Sequence, residues 1–137
     1  MEYILISCKS GVMYSGELLQ EYRDDLEWIG IKPSKKSNIC LYFDMNRIEK
    51  IYFQDGSCKE KVLRDFRKKP KLDLEIPEKN ILLVRVMGGV SYRGERIDKE
   101  NLPGEIFYKE GFWISPSNIH ETIIYVPENE VERVFAI

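Results

Sequence analysis

The chain has 137 residues, 43% of them apolar and 12% aromatic, with 21 basic against 23 acidic side chains. Such a composition can build packed cores and excludes a disordered chain. A net charge of −2 excludes the whole-molecule basic field usual in nucleic-acid binders. No apolar run reaches the length of about 18 residues that a membrane-spanning helix needs. The opening Met1-Glu2-Tyr3 lacks the basic region of a secretory signal, so the protein is expected in the cytoplasm. Cys8, Cys40 and Cys58 are odd in number and far apart, which argues against a disulfide framework and against a zinc knuckle.

In chain order, Ile4, Ile6 and Cys8 alternate with Leu5, Ser7 and Lys9, the period of a strand. Ser10-Gly11 signals a hairpin turn. A second strand carries Val12, Tyr14 and Gly16 on one face. A glycine inside a strand marks a bend or a close backbone approach. The third strand runs through Trp28-Ile29-Gly30-Ile31 and stops at Pro33. The fourth is Ile39 to Phe43. A one-turn segment, Asp44 to Arg47, leads into a fifth strand from Ile48 to Phe53.

A different texture follows. Asp55-Gly56 turns the chain. Ser57 and Glu60 form a capping-box signature, and Val62, Leu63 and Phe66 are spaced as on a helix. Arg67, Lys68 and Lys69 suit a helix C-terminus and Pro70 stops it, so a helix is predicted over about residues 58–69. Leu72, Leu74 and Ile76 then alternate as in an edge strand.

From residue 81 the first pattern returns. Gly11-Val12-Met13-Tyr14-Ser15-Gly16-Glu17 recurs as Gly89-Val90-Ser91-Tyr92-Arg93-Gly94-Glu95, 78 residues later and identical at five of seven positions. Leu82, Val84 and Val86 answer the first strand. Phe112-Trp113-Ile114, ended by Pro116, answers the third. Thr122 to Val126 answers the fourth, Pro127 to Glu130 the one-turn segment, and Val131 to Ile137 the fifth. The second copy is longer between Gly94 and Trp113 (19 positions, against 12 from Gly16 to Trp28), and the extra residues include the loop signal Asn101-Leu102-Pro103-Gly104.

Five short strands, a bent second strand and one helical turn before the fifth resemble an SH3-like barrel. The two glycines five apart across the first hairpin, Gly11/Gly16 and Gly89/Gly94, resemble the first motif of the Sm-like RNA-binding proteins. The base-contacting Asp and Asn of that family have no counterparts at the required spacing. Its Arg-Gly pair is replaced by Asp44-Met45 and Pro127-Glu128. The resemblance therefore implies a fold and no uridine site. The expected architecture is all-β with one connecting helix: a first five-stranded barrel over residues 1–54, a basic helical connector over 55–80 and a second barrel over 81–137. The barrels are expected to pack as a pseudo-dimer, with Leu5 and Leu83 as candidate contacts between them.

Residues shared by the two copies are expected to serve the fold, and unshared ones are free to carry function. Trp28 and Trp113 recur and are read as core, and the recurrence of Glu17 and Glu95 is read as a structural role at the bend. His120 is the one histidine and stands in a loop without cysteine neighbours. Gly88-Gly89 lacks the Lys-Ser/Thr of a phosphate loop. No cofactor, metal or catalytic constellation emerges, and a non-catalytic module that binds a protein partner is expected. Two candidate surfaces stand out. One is the aromatic and basic set of Arg93, Arg96, Tyr108 and Phe112, with Phe107 beside it. The other is the basic strip Lys61, Arg64, Arg67, Lys68, Lys69 and Lys71, flanked by Lys59. That strip supports an alternative reading as an RNA or DNA contact.

Overall fold

The computed structural model describes residues 2–60, 81–116 and 122–137. The first half holds β1 (Tyr3–Cys8), β2 (Met13–Leu18), β3 (Trp28–Lys32), β4 (Cys40–Asp44), β5 (Ile48–Phe53) and β6 (Cys58–Glu60). The second holds β7 (Ile81–Val86), β8 (Ser91–Arg96), β9 (Gly111–Ser115), β10 (Thr122–Pro127) and β11 (Val131–Ala136). Short 3-10 turns occupy Met45–Arg47, Lys99–Asn101 and Glu128–Glu130. The first is capped by Asp44, whose Oδ1 accepts the Asn46 N–H at 2.9 Å.

All eleven strands form one antiparallel sheet in the order β11-β7-β8-β9-β10-β4-β3-β2-β1-β5-β6. The order β5-β1-β2-β3-β4 in the first half is matched by β11-β7-β8-β9-β10 in the second. Small details match too. Cys8 N–H donates to Val12 O and Lys9 N–H to Arg47 O, as Val86 N–H does to Val90 O and Met87 N–H to Glu130 O.

The glycine inside each second strand permits a close approach. A Cβ on Gly16 would stand 2.7 Å from the Lys32 carbonyl oxygen, and one on Gly94 would stand 2.4 Å from that of Ser115. Gly16 pairs with Ile4 while the next residue, Glu17, pairs with Lys32 on the other side. Gly94 pairs with Leu82 and Glu95 with Ser115. Pairing on the second side thus begins just after the glycine, where Glu17 pairs with both Tyr3 and Lys32 and Glu95 with both Ile81 and Ser115.

The all-β expectation is met, but two closed barrels joined by a helix are not. The sheet is continuous and open, because β4 and β10 pair directly, with Leu41 opposite Ile124 and Tyr42 opposite Ile123. An unpaired strand edge leaves main-chain donors and acceptors unmet, and each half satisfies the edge of the other. The expected contact through Leu5 and Leu83 is also replaced. Leu5 pairs with Ser15 and Tyr52 and Leu83 with Arg93 and Phe135, each inside its own half.

The predicted helix fails at its start. Asp55 Oδ1 accepts the Ser57 N–H at 2.8 Å and the Ser57 hydroxyl. Phe53 N–H donates to Ser57 O, Gly56 N–H donates to Phe53 O, and Gly56 has φ +87°. These bonds close a hairpin, so residues 58–60 run back along β5 as β6. A Ser that is already spent in an Asx turn cannot cap a helix. The remainder of the proposed helix and the extended stretch after it lie in 61–80, outside the described residues.

Three cores follow from strand alternation. Ile4, Ile6, Cys8, Ile29, Ile31, Phe43, Ile48 and Ile51 fill the first half. Val84, Val86, Ile114, Ile124 and Val126 fill the second. The opposite face of β3, β4, β9 and β10 carries a junction core of Trp28, Cys40, Tyr42, Ile97, Ile106, Trp113, Ile123 and Tyr125. The four central strands are therefore covered on both sides. Each fully buried Ile contributes on the order of 1.5–3 kcal/mol, which is why the apolar runs concentrate there.

Candidate binding surfaces

The two tryptophans are core residues, 2% and 3% exposed, as their recurrence implied. Trp113 is the hub of the junction. Its ring lies 4.6 Å from Tyr125, 5.7 Å from Tyr42 and 6.2 Å from Tyr108, centroid to centroid. Its indole N–H donates to Lys109 O at 2.9 Å. Gly30 makes room for Tyr42, whose ring would stand 2.6 Å from a Cβ there.

The aromatic and basic candidates are divided between surfaces. Tyr108 is half-buried against the junction core. The Lys99 ammonium sits over its ring at 4.8 Å and its hydroxyl donates to Glu110 Oε2 at 3.5 Å. Partial burial and Glu110 hold the Tyr108 phenol above its ordinary pKa, with Arg96 pulling the other way. Arg96 and Tyr108 are thus neighbours. Arg96 also faces Asp98 at 3.6 Å. Phe112 packs instead on the second-half core, the opposite sheet face from Trp113 beside it. Arg93 is exposed on β8. Phe107 is 85% exposed. Lys61, Arg64, Arg67, Lys68, Lys69, Lys71 and His120 lie outside the described residues. Lys59, at the head of the strip, contacts Asp24 at 3.6 Å.

Sequence reasoning missed the side chains that lock the halves together. Glu105 reaches from the second-half insertion and accepts the Glu27 N–H with both carboxylate oxygens at 2.9 Å; Oε2 also accepts the Trp28 N–H at 3.3 Å. Glu130 Oε2 accepts the Asn38 N–H at 2.9 Å. Arg47 donates to the Thr122 hydroxyl. The insertion was the one visible signal, since a loop present in only one copy has something extra to reach.

Two features are candidates for a binding site. The first is the outer edge of β11. Ile137 N–H donates to Ile81 O at 3.0 Å. By strand alternation Phe135 and Arg133 also turn their main-chain groups toward β7, while Val134 and Ala136 turn theirs outward. In the first half the residue equivalent to Val134 is Ile51, and it is paired with Lys59 of β6. No strand covers β11 among the described residues. The second feature is a cleft of about 440 Å³ where the halves meet, over the cross-strand pair Cys40 and Tyr125.

Among the described residues no group of three or more His, Cys, Asp and Glu side chains is placed to hold a metal ion, and none of their helices is long and apolar enough to cross a membrane. Cys8 and Cys40 are buried free thiols and Cys58 is exposed. No protein family, curated protein or solved structure matches the chain.

Proposed function

We propose that the protein is a non-catalytic binding module of the cytoplasm that takes up an extended segment of a protein partner as a further strand on β11. The observation that carries this reading is the difference between equivalent edges. Ile51 has its outward main-chain groups bonded to a hairpin strand, whereas Val134 presents the same groups with no described strand beside them. Strand addition gives affinity through main-chain hydrogen bonds and selectivity through alternate side chains. Across β5 and β6, Lys50 Nζ lies 3.5 Å from Glu60. Arg133 is the counterpart of Lys50, so the preferred segment has an acidic residue at that register. Three free cysteines suit a reducing compartment.

The test uses Val134→Pro, which removes the outward N–H without touching a bond to β7, and Val134→Thr, which keeps it. Nuclease-treated lysate is passed over each protein, and the retained partner is purified and titrated. Retention by the wild type and Val134→Thr, loss with Val134→Pro, and shifts of the Val134 and Ala136 amide signals support the reading. Equal retention by Val134→Pro overturns it. The basic run from Lys59 to Lys71 favours a second reading, nucleic-acid contact. That reading requires binding that falls steeply with salt and is lost in Lys68→Glu combined with Lys69→Glu.

A further inference from the structure

The chain carries its own example of an outer strand on this sheet. In the first half β6 runs antiparallel to β5, with Cys58 opposite Tyr52 and Glu60 opposite Lys50. Residues directly opposite one another share a face of the sheet, and Lys50 Nζ accordingly lies 3.5 Å from Glu60. Behind them on β1, Leu5 stands opposite Tyr52 and Ser7 opposite Lys50. The second half repeats both rows as far as its edge. Leu83 stands opposite Phe135, and Arg85 opposite Arg133. The two positions that Cys58 and Glu60 fill in the first half have no described counterpart beside β11.

One difference between the rows raises the demand for an acid. Where the first half has Ser7 behind Lys50, the second has Arg85 behind Arg133. Like charges directly opposite each other on a sheet are destabilising. Glu132 answers Arg85 at 3.6 Å. Arg133 forms no ion pair among the described residues, and its guanidinium lies 5.7 Å from the centre of the Phe135 ring. Phe135 is 40% exposed and Tyr52 38%, so an outer strand finds the same aromatic surface to cover in both halves.

A second copy of β11 does not complete these rows. In an antiparallel pair, residues whose main-chain groups turn toward the partner face each other, and those turned away face each other. Within the stretch Arg133 to Ile137, Arg133 could therefore meet only Arg133, Phe135 or Ile137 of another copy, none of them acidic. The occupant has to be a different chain.

We propose that the strand taken up on β11 runs antiparallel to it, with a small apolar residue opposite Phe135 and, two residues later, an aspartate or glutamate opposite Arg133. That is the pattern of Cys58-Lys59-Glu60. The inference rests on the reading of β11 as an edge that accepts a strand, and adds the direction and the side-chain code of the partner.

The experiment titrates the ¹⁵N-labelled full chain with the capped peptide Ser-Thr-Val-Ala-Lys-Glu-Val-Thr, following the amide signals of Val134 and Ala136. Saturable shifts in the millimolar range are expected. Gln in place of Glu should weaken binding about two- to fivefold, the factor that one exposed opposite-charge cross-strand pair supplies. Arg133→Gln should abolish that discrimination. A nitroxide on the peptide N-terminus should broaden Ala136 and Ile137 more than Val131 and Glu132; the reverse gradient overturns the antiparallel assignment. Equal binding of the Glu and Gln peptides, both lost in Val134→Pro, overturns the code and leaves the strand-accepting edge standing. Binding undiminished in Val134→Pro overturns both. Absence of saturable shifts up to about 20 mM, well beyond the affinity expected, overturns the code, while the edge itself is still judged by the partner retained from lysate.

Discussion

Leu41 lies directly opposite Ile124 at the centre of the β4–β10 pair, and each is the other's counterpart in the two halves. On either side, Tyr42 faces Ile123 and Cys40 faces Tyr125, which is one pair read from each half. The junction therefore has the self-complementary logic of a two-fold interface within a single chain.

Ile124→Ala should show how much the molecule depends on that centre. The side chain is 7% exposed and packs in the second-half core while lying across from the first. Truncation is expected to cost about 2–4 kcal/mol. Leu41→Ala, at a half-buried position that touches both cores, should cost less. Urea unfolding followed by tryptophan fluorescence provides the comparison.

Gly94→Ala should be more damaging than its size suggests. The new Cβ would stand 2.4 Å from the Ser115 oxygen and 2.7 Å from the carbonyl carbon, both main-chain atoms that cannot swing aside. A loss of about 1–3 kcal/mol is expected, with a comparable loss for Gly16→Ala. Gly104→Ala, where nothing lies within 4 Å, is the control and should be near neutral. Thermal denaturation of the three variants ranks them.

Glu105→Ala removes an acceptor shared by two main-chain donors, Glu27 N–H and Trp28 N–H. The Glu27 N–H is open to water and the Trp28 N–H is part-buried, so the expected cost is about 0.5–1.5 kcal/mol, the net worth of a typical hydrogen bond. Hydrogen exchange should accelerate first at Glu27 and Trp28, while amides in β1 and β5 keep their protection. Uniform acceleration across the sheet would show that Glu105 is not a local cap.

Alkaline pH should unfold the protein through its tyrosines. Burial, reinforced by Cys40 and Tyr125, pushes the Tyr42 phenol well above its ordinary value of 10.0. Burial also raises Tyr92 and Tyr125. A phenol that ionises later in the folded state binds more protons there than in the unfolded chain, so stability falls as pH rises. The contribution is complete below the unfolded value near pH 10 and is lost as pH climbs through the folded values. Urea midpoints should fall above about pH 10, and absorbance titration should show a subset of tyrosines ionising only with unfolding. Tyr42→Phe should flatten that fall.

Local patterns foretold the strands well. The alternation of Ile4, Ile6 and Cys8, the stops at Pro33 and Pro116, and the paired glycines each depend on near neighbours, and the strands formed where expected. One failure was local, and the others were set by contacts distant in sequence. Ser57 satisfies a helix-capping pattern and a hairpin pattern equally, and the bond from Asp55 decides between them. The joining of β4 to β10 brings Cys40 against Tyr125, and no local period announces that register. The cleft and the Glu105 cap depend on it, so neither was readable beforehand. Tyr108 and Phe112 looked like one patch because they are close in sequence, but the pleat of β9 and the loop before it send them to opposite faces.

A sheet that runs unbroken through β4 and β10 also means that the covalent link between the halves is not what keeps them together. A protease cut anywhere within 61–80 should leave a nicked protein that elutes as one species and separates only in denaturant. The two fragments, mixed after separate purification, should reconstitute the whole. Each fragment alone presents a naked central strand that matches its own kind, so it should pair with itself, and a heteromeric complement has to outcompete that homotypic pairing.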